Sequence, residues 1–103
     1  MRAYFNTVRT VQYSECDMYG IMHNIDYLKW LEDAMANCCY EHGVTFEGLT
    51  LDFKSRFIRA LNWQDVVKID LEMEIKEGIF HYKGRFQNVE TNKNAFLFLG
   101  KKG

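Results

Sequence analysis

The stretch Val66 to Lys76, VVKIDLEMEIK, alternates almost without fault. Val67, Ile69, Leu71, Met73 and Ile75 share one parity; Lys68, Asp70, Glu72, Glu74 and Lys76 share the other. A period of two is that of a strand, so this segment predicts a half-buried strand with one wet face. Between Ile25 and His42 the period lengthens. Tyr27, Leu28, Leu31, Met35 and Cys38 recur at three- and four-residue steps, while Lys29, Glu32, Asp33 and Asn37 fall mostly elsewhere. That spacing predicts one amphipathic helix. Asn24 is its expected N-cap, and Gly43 stands where a left-handed residue would end it.

The remaining elements read as strands. Phe5 to Tyr13 (FNTVRTVQY) is rich in β-branched and aromatic residues, and Leu49 to Leu61 alternates in part. A KEG turn leads into IFHYKGRFQNV, where Phe80, Tyr82 and Phe86 share a face, and a TNKN turn leads into AFLFLGKK. The predicted order is β-α-β-β-β-β. Tight turns in the second half imply an antiparallel meander, and one long helix must cover its apolar face, which defines the class as α+β. No linker, repeat or low-complexity run divides residues 1–103, so a single domain is expected.

Composition narrows the possible partners. Aromatic residues make up 16% of the chain, more than one obvious core face can take, which points to burial against a partner subunit. A formal net charge of −1 gives no reason to expect nucleic acid or an anionic membrane. No segment approaches the length of a transmembrane span, and MRAYFNTVRT lacks the apolar run of a signal peptide, so a cytoplasmic setting is expected. The three cysteines do not suggest a disulfide framework. Cys38 and Cys39 point about 100° apart on a helix and cannot readily clamp one metal ion, so no metal is expected.

The segment that carries chemistry is DMYGIMHNIDYLKWLEDA, Asp17 to Ala34. A carboxylate, a glycine and a polar pair stand directly before the helix. Asp17 ahead of Gly20 reads equally as an ordinary turn aspartate. A second segment, RFIRALNWQD (Arg56 to Asp65), closes the first strand after the helix.

Together these two segments resemble the hotdog-fold 4-hydroxybenzoyl-CoA thioesterase-like acyl-CoA thioesterases. Asp17, Gly20, Asn24, Tyr27, Trp30 and Glu32 fall on the positions of the first family pattern, and Arg56, Phe57, Arg59 and Asp65 on the second. Ala60 stands where proline is usual and Gln64 where glycine is usual. The resemblance spans roughly Val11 to Leu99 and implies a shortened C-terminal strand.

The resemblance also implies an activity, the hydrolysis of acyl-CoA thioesters to free acid and CoA. Asp17 would activate water or attack the carbonyl itself. The backbone N–H groups near Asn24, at the positive end of the helix dipole, would polarise the thioester carbonyl. Gly20 would allow close backbone approach or a positive φ. His23 is either a second base beside the site or a capping histidine. Tyr27, Lys54, Arg56 and Arg59 are the implied substrate contacts, with Lys83 a further phosphate partner and Tyr27 equally a core residue. Acyl-CoA would enter between subunits of a homodimer or homotetramer, with no cofactor. Cys16 beside Asp17 has no histidine partner at local spacing and no role in the pattern. A non-catalytic hotdog module that binds acyl-CoA or a protein is the competing expectation. A hotdog dehydratase is disfavoured, because the proline- and glycine-rich segment carrying its histidine is missing.

Overall fold

The computed structural model describes all residues, 1–103. Its elements follow the predicted order: β1 (Arg2–Thr10), α1 (Asn24–Glu41), β2 (Thr50–Phe57), β3 (Val66–Lys76), β4 (Ile79–Asn88) and β5 (Lys93–Lys102). A short 3-10 turn, Tyr13–Glu15, stands between β1 and α1. The five strands form one sheet in the order β1-β3-β4-β5-β2. Every neighbouring pair is antiparallel.

The alternation of β3 survives intact. Val67, Ile69, Leu71 and Met73 are buried against α1, while the residues between them face outward. There Lys83 pairs with Glu72 at 3.7 Å, Arg85 with Asp70 at 3.1 Å and Arg2 with Glu74 at 3.2 Å. Such exposed pairs contribute only about 0–1 kcal/mol each, so the inner face carries the stability. Phe80, Tyr82 and Phe86 share that inner face, as their spacing predicts.

The helix buries Tyr27, Trp30, Leu31, Ala34, Met35, Cys38 and Cys39 on the sheet. Tyr27 packs edge-on to Phe57 at 5.1 Å and parallel to Phe86 at 6.0 Å, and Phe86 lies 5.1 Å from Phe96. Each such aromatic pair adds about 0.5–1.5 kcal/mol beyond the area it buries. Much of the aromatic payload is thus spent inside one chain. At the helix end, the His42 ring Nδ1–H donates to the Cys38 carbonyl at 2.8 Å, and Gly43 takes φ +69° as expected.

Two strands differ in their bounds from the pattern-based expectation. β1 begins and ends three residues earlier, because the chain after Thr10 turns through Gln12, whose N–H donates to Glu15 Oε1 at 2.8 Å. β2 ends at Phe57 rather than Leu61, since the Ile58 and Arg59 amides both turn to the Ala95 carbonyl. β5 has ten residues, as many as β4, and lies between β4 and β2, so the sheet edges are β1 and β2.

Gly84 marks where β4 crosses closest to its neighbours. A Cβ there would sit 1.9 Å from the Asp70 carbonyl oxygen and 2.7 Å from the Phe98 ring. Gly84→Ala is therefore expected to cost at least about 2 kcal/mol, toward the upper part of the overpacking range. Urea denaturation would show it as a lowered midpoint.

Candidate functional site

The chain from Glu15 to His23 is a small hairpin in front of α1. Cys16 bridges Met22, the Asp17 N–H donates to the Ile21 carbonyl at 2.9 Å, and the His23 N–H donates to the Glu15 carbonyl at 2.9 Å. Asp17 opens its tight end. The Gly20 N–H donates to the Asp17 carbonyl, and the Asp17 side-chain Oδ1 accepts from Tyr19 N–H at 2.8 Å and Ile21 N–H at 3.1 Å. This is Asx-type turn chemistry. Both side-chain hydrogen bonds go to Oδ1; the second carboxylate oxygen, Oδ2, accepts none within the chain. Gly20 takes φ +75° with open space where a Cβ would stand, so backbone conformation, not close approach, is its requirement.

The helix start differs by one residue from expectation. His23, not Asn24, is the N-cap, because its N–H is held by Glu15 and its extended backbone (φ −67°, ψ 141°) precedes the first helical residue. Its imidazole makes no capping bond and is exposed. Asn24 becomes the first residue of the helix. The Asp26 N–H donates to the His23 carbonyl at 3.0 Å, which leaves the Asn24 and Ile25 amides without an intrahelical acceptor, and no side chain covers them from the cap position.

The two sequence segments that carry the resemblance meet here. Met22 N–H donates to the Leu61 carbonyl at 2.8 Å, and Trp63 N–H to the Gly20 carbonyl at 2.8 Å. Leu61 N–H donates to the Tyr27 hydroxyl at 3.2 Å. Gln64, where the pattern usually has glycine, sits at φ +75°. The backbone demand is present although the residue suited to it is not.

The expected substrate contacts scatter. Tyr27 is 2% exposed and part of the core in this chain. Its burial pushes the phenol pKa up, while the Leu61 N–H bond opposes that shift. Lys54 and Arg56 lie on β2, opposite Leu99 and Leu97 of β5, on the parity away from the helix. Arg59 lies beyond β2, at the rim of a surface cleft of about 360 Å³ that Asn62, Asp65, Asn88 and Lys93 also line. None of these three cations is ion-paired, whereas Lys83 is engaged by Glu72. A smaller cavity, about 160 Å³, opens between α1 and the sheet, lined by Leu28, Leu31, Glu32, Met35, Phe53 and Tyr82 among others.

Cys16 is poorly suited to act as a thiolate. Burial raises its pKa first, and the charges of Glu15 and Asp17 raise it further. No group of three or more His, Cys, Asp or Glu residues is placed to hold a metal ion. Sequence reasoning missed Glu15, whose carboxylate accepts from the Trp30 indole N–H at 2.6 Å. The Gln12-to-Glu15 spacing of a capping box was a visible local signal; the contact fifteen residues on was not.

No family profile matches the sequence, and neither does any curated protein. Solved structures match throughout the chain. A hypothetical protein from Staphylococcus aureus, solved in complex with CoA, superposes with a TM-score of 0.82 at 17% identity, covering 100% of this chain and 81% of that one. The 1,4-dihydroxy-2-naphthoyl-CoA thioesterase of Synechocystis gives 0.83 at 12% identity, over 95% and 79%. The PaaI protein of the E. coli phenylacetic acid degradation operon gives 0.83 at 17% identity, over 96% and 74%. The chain therefore has the hotdog fold, and its structural neighbours include thioesterases. No helix is long and apolar enough to cross a membrane.

Two substitutions test the local geometry. Tyr27→Phe strands the buried Leu61 N–H, so a loss of about 1–3 kcal/mol is expected in chemical denaturation. Gln64→Gly removes the left-handed strain and should stabilise by about 0.5–1 kcal/mol, read as a raised urea midpoint.

Proposed function

We propose that this protein hydrolyses acyl-CoA thioesters, with Asp17 as the reacting carboxylate. One observation carries the reading: a half-buried carboxylate has one oxygen fixed by the Tyr19 and Ile21 amides and the other uncommitted, at the head of a hairpin running straight into an uncapped helix start. A fixed oxygen orients the group; a free one can take a proton from water or attack the carbonyl. The first amides of α1, near Asn24, supply hydrogen bonds to the oxyanion that develops on the thioester carbonyl. Collapse of that tetrahedral species breaks the C–S bond. The CoA thiolate leaves and takes up a proton; water attack gives the acid directly, whereas attack by Asp17 gives an acyl anhydride that a water then hydrolyses to release the acid and regenerate the carboxylate. Gly20 gives the turn its shape, and His23 lies exposed at the cap as a further group near the leaving thiolate.

CoA as the carrier is supported by the likeness to a structure solved with CoA. Lys54, Arg56 and Arg59, free of carboxylate partners, are cations for its phosphates in this reading. A homodimer with sites at the subunit interface is supported by the β2 edge. Leu49 (77% exposed), Leu51 (57%), Phe57 (43%) and Ile58 (42%) leave apolar surface on or beside that unpaired strand. Dimers could pair again into a tetramer.

A second reading, a non-catalytic module that binds acyl-CoA, is favoured by one fact: Asp17 Oδ1 already serves the turn. Asp17→Asn separates the two. The amide oxygen of asparagine can still accept from Tyr19 and Ile21, so the turn and fold should survive, while the base or nucleophile is gone. Release of thiol from acyl-CoA should fall at least about 100-fold with the melting temperature unchanged. Full turnover in the variant removes Asp17 from the mechanism, and no turnover by the parent protein supports the binding module.

A further inference from the structure

Asp17 can act only if its turn is held in a fixed relation to the start of α1. Within the hairpin, backbone bonds fix Asp17 to Ile21 and Glu15 to His23. Beside the indirect link through Leu61, one side chain ties the hairpin directly to the body of the helix. Glu15, two residues before Asp17, places Oε2 2.6 Å from the Trp30 indole Nε1, the shortest side-chain hydrogen bond in the molecule, while its Oε1 takes the Gln12 amide at 2.8 Å. A carboxylate acceptor makes this contact charge-assisted.

The anchor at the other end is rigid. Trp30 is 1% exposed, packs 6.0 Å from Phe86, and is covered by the Arg9 guanidinium 4.8 Å from the ring centroid. Arg9 is in turn held by Asp33 at 3.2 Å. Glu15 therefore reaches an indole clamped between sheet and strand, rather than a mobile surface group.

We propose that Glu15 is the positioning residue of the site, its bond to Trp30 setting where the Asp17 carboxylate stands relative to the first amides of α1. This role rests on the thioesterase reading for its consequence, though the tether itself can be measured without turnover. Glu15 touches no substrate in this assignment. It acts through the hairpin, where a displacement of about 1 Å can cost on the order of 100-fold in rate.

Glu15→Gln is the test, because glutamine keeps the shape but offers its single acceptor oxygen to only one of the two donors. NMR of the variant should show faster hydrogen exchange at the Trp30 indole and at the Tyr19 and Ile21 amides, with β3 and β4 protection unchanged. In thioester hydrolysis, kcat should fall about tenfold or more with KM within about twofold, since phosphate contacts lie elsewhere. Trp30→Phe, which removes the same bond from the other side, should give the same faster exchange at the Tyr19 and Ile21 amides, and the double variant should lose no more than the worse single. Unchanged exchange at the hairpin in Glu15→Gln, or an equal rise throughout the sheet, overturns the proposal; so does a kcat equal to the parent's. If the hairpin loosens as expected but the parent itself cleaves no thioester, the hydrolase reading falls and Glu15 stands as a tether alone.

Discussion

The backbone of Leu61 is the junction on which the site depends. Its N–H donates to the Tyr27 hydroxyl of α1, and its carbonyl accepts from Met22 in the hairpin. Leu61 is 1% exposed and Met22 3%, so water cannot replace either bond. A buried amide without a partner costs about 1–3 kcal/mol, so the three segments are obliged to meet as they do. Helix, hairpin and the crossing between β2 and β3 thereby meet at the backbone of one residue, through the two peptide groups that flank its Cα. The far end of the Asp17 turn is held to the same crossing, because the Gly20 carbonyl is taken by Trp63 N–H, and the near end is held by Glu15 on Trp30.

Around this junction the sheet acts as a scaffold. Its inner face is closed by one helix and an aromatic cluster centred on Tyr27, Phe86 and Phe96; the hairpin adds Met22 to that core, while its tight end around Asp17 is fixed by hydrogen bonds. Hydrogen bonds set direction more sharply than apolar contact does. A loop whose purpose is to aim one carboxylate oxygen is well served by that division: burial supplies stability, and polar contacts supply aim. Tyr27 joins both roles, ring in the core and hydroxyl on Leu61.

Much of the architecture was legible because it rests on local periodicity. The alternation of Val67 to Ile75 and the stripe of Tyr27, Leu31, Met35 and Cys38 are each produced by one element facing one core, so pattern and burial coincide. The β3–β4 turn was legible too, although Glu77 takes φ +52° ahead of Gly78 at +78°, a primed turn in which asparagine would be the easier first residue. Boundaries were misread where a long-range bond intervenes. Asn24 satisfies every local rule for a cap, yet Glu15 holds the amide of His23 and moves the helix start by one residue. Gln64 shows the opposite case, a left-handed position invisible in its residue type and suggested only by the resemblance. Asp17 and Gly20 could be singled out from sequence; their connection to Leu61, Trp63 and Trp30 could not, because each link joins residues far apart in the chain.

The central claim is that one carboxylate oxygen of Asp17 and the opening amides of α1 converge on one thioester carbonyl. The most direct measurement is a crystal structure of the assembled protein with a non-hydrolysable acyl-CoA analogue that keeps the carbonyl. The account predicts the carbonyl oxygen within about 3 Å of a first-turn amide of α1, and Asp17 Oδ2 within about 3.5 Å of the carbonyl carbon or of a water lying against it. An analogue bound with its carbonyl away from the helix start, and Asp17 Oδ2 facing only bulk solvent, would contradict it.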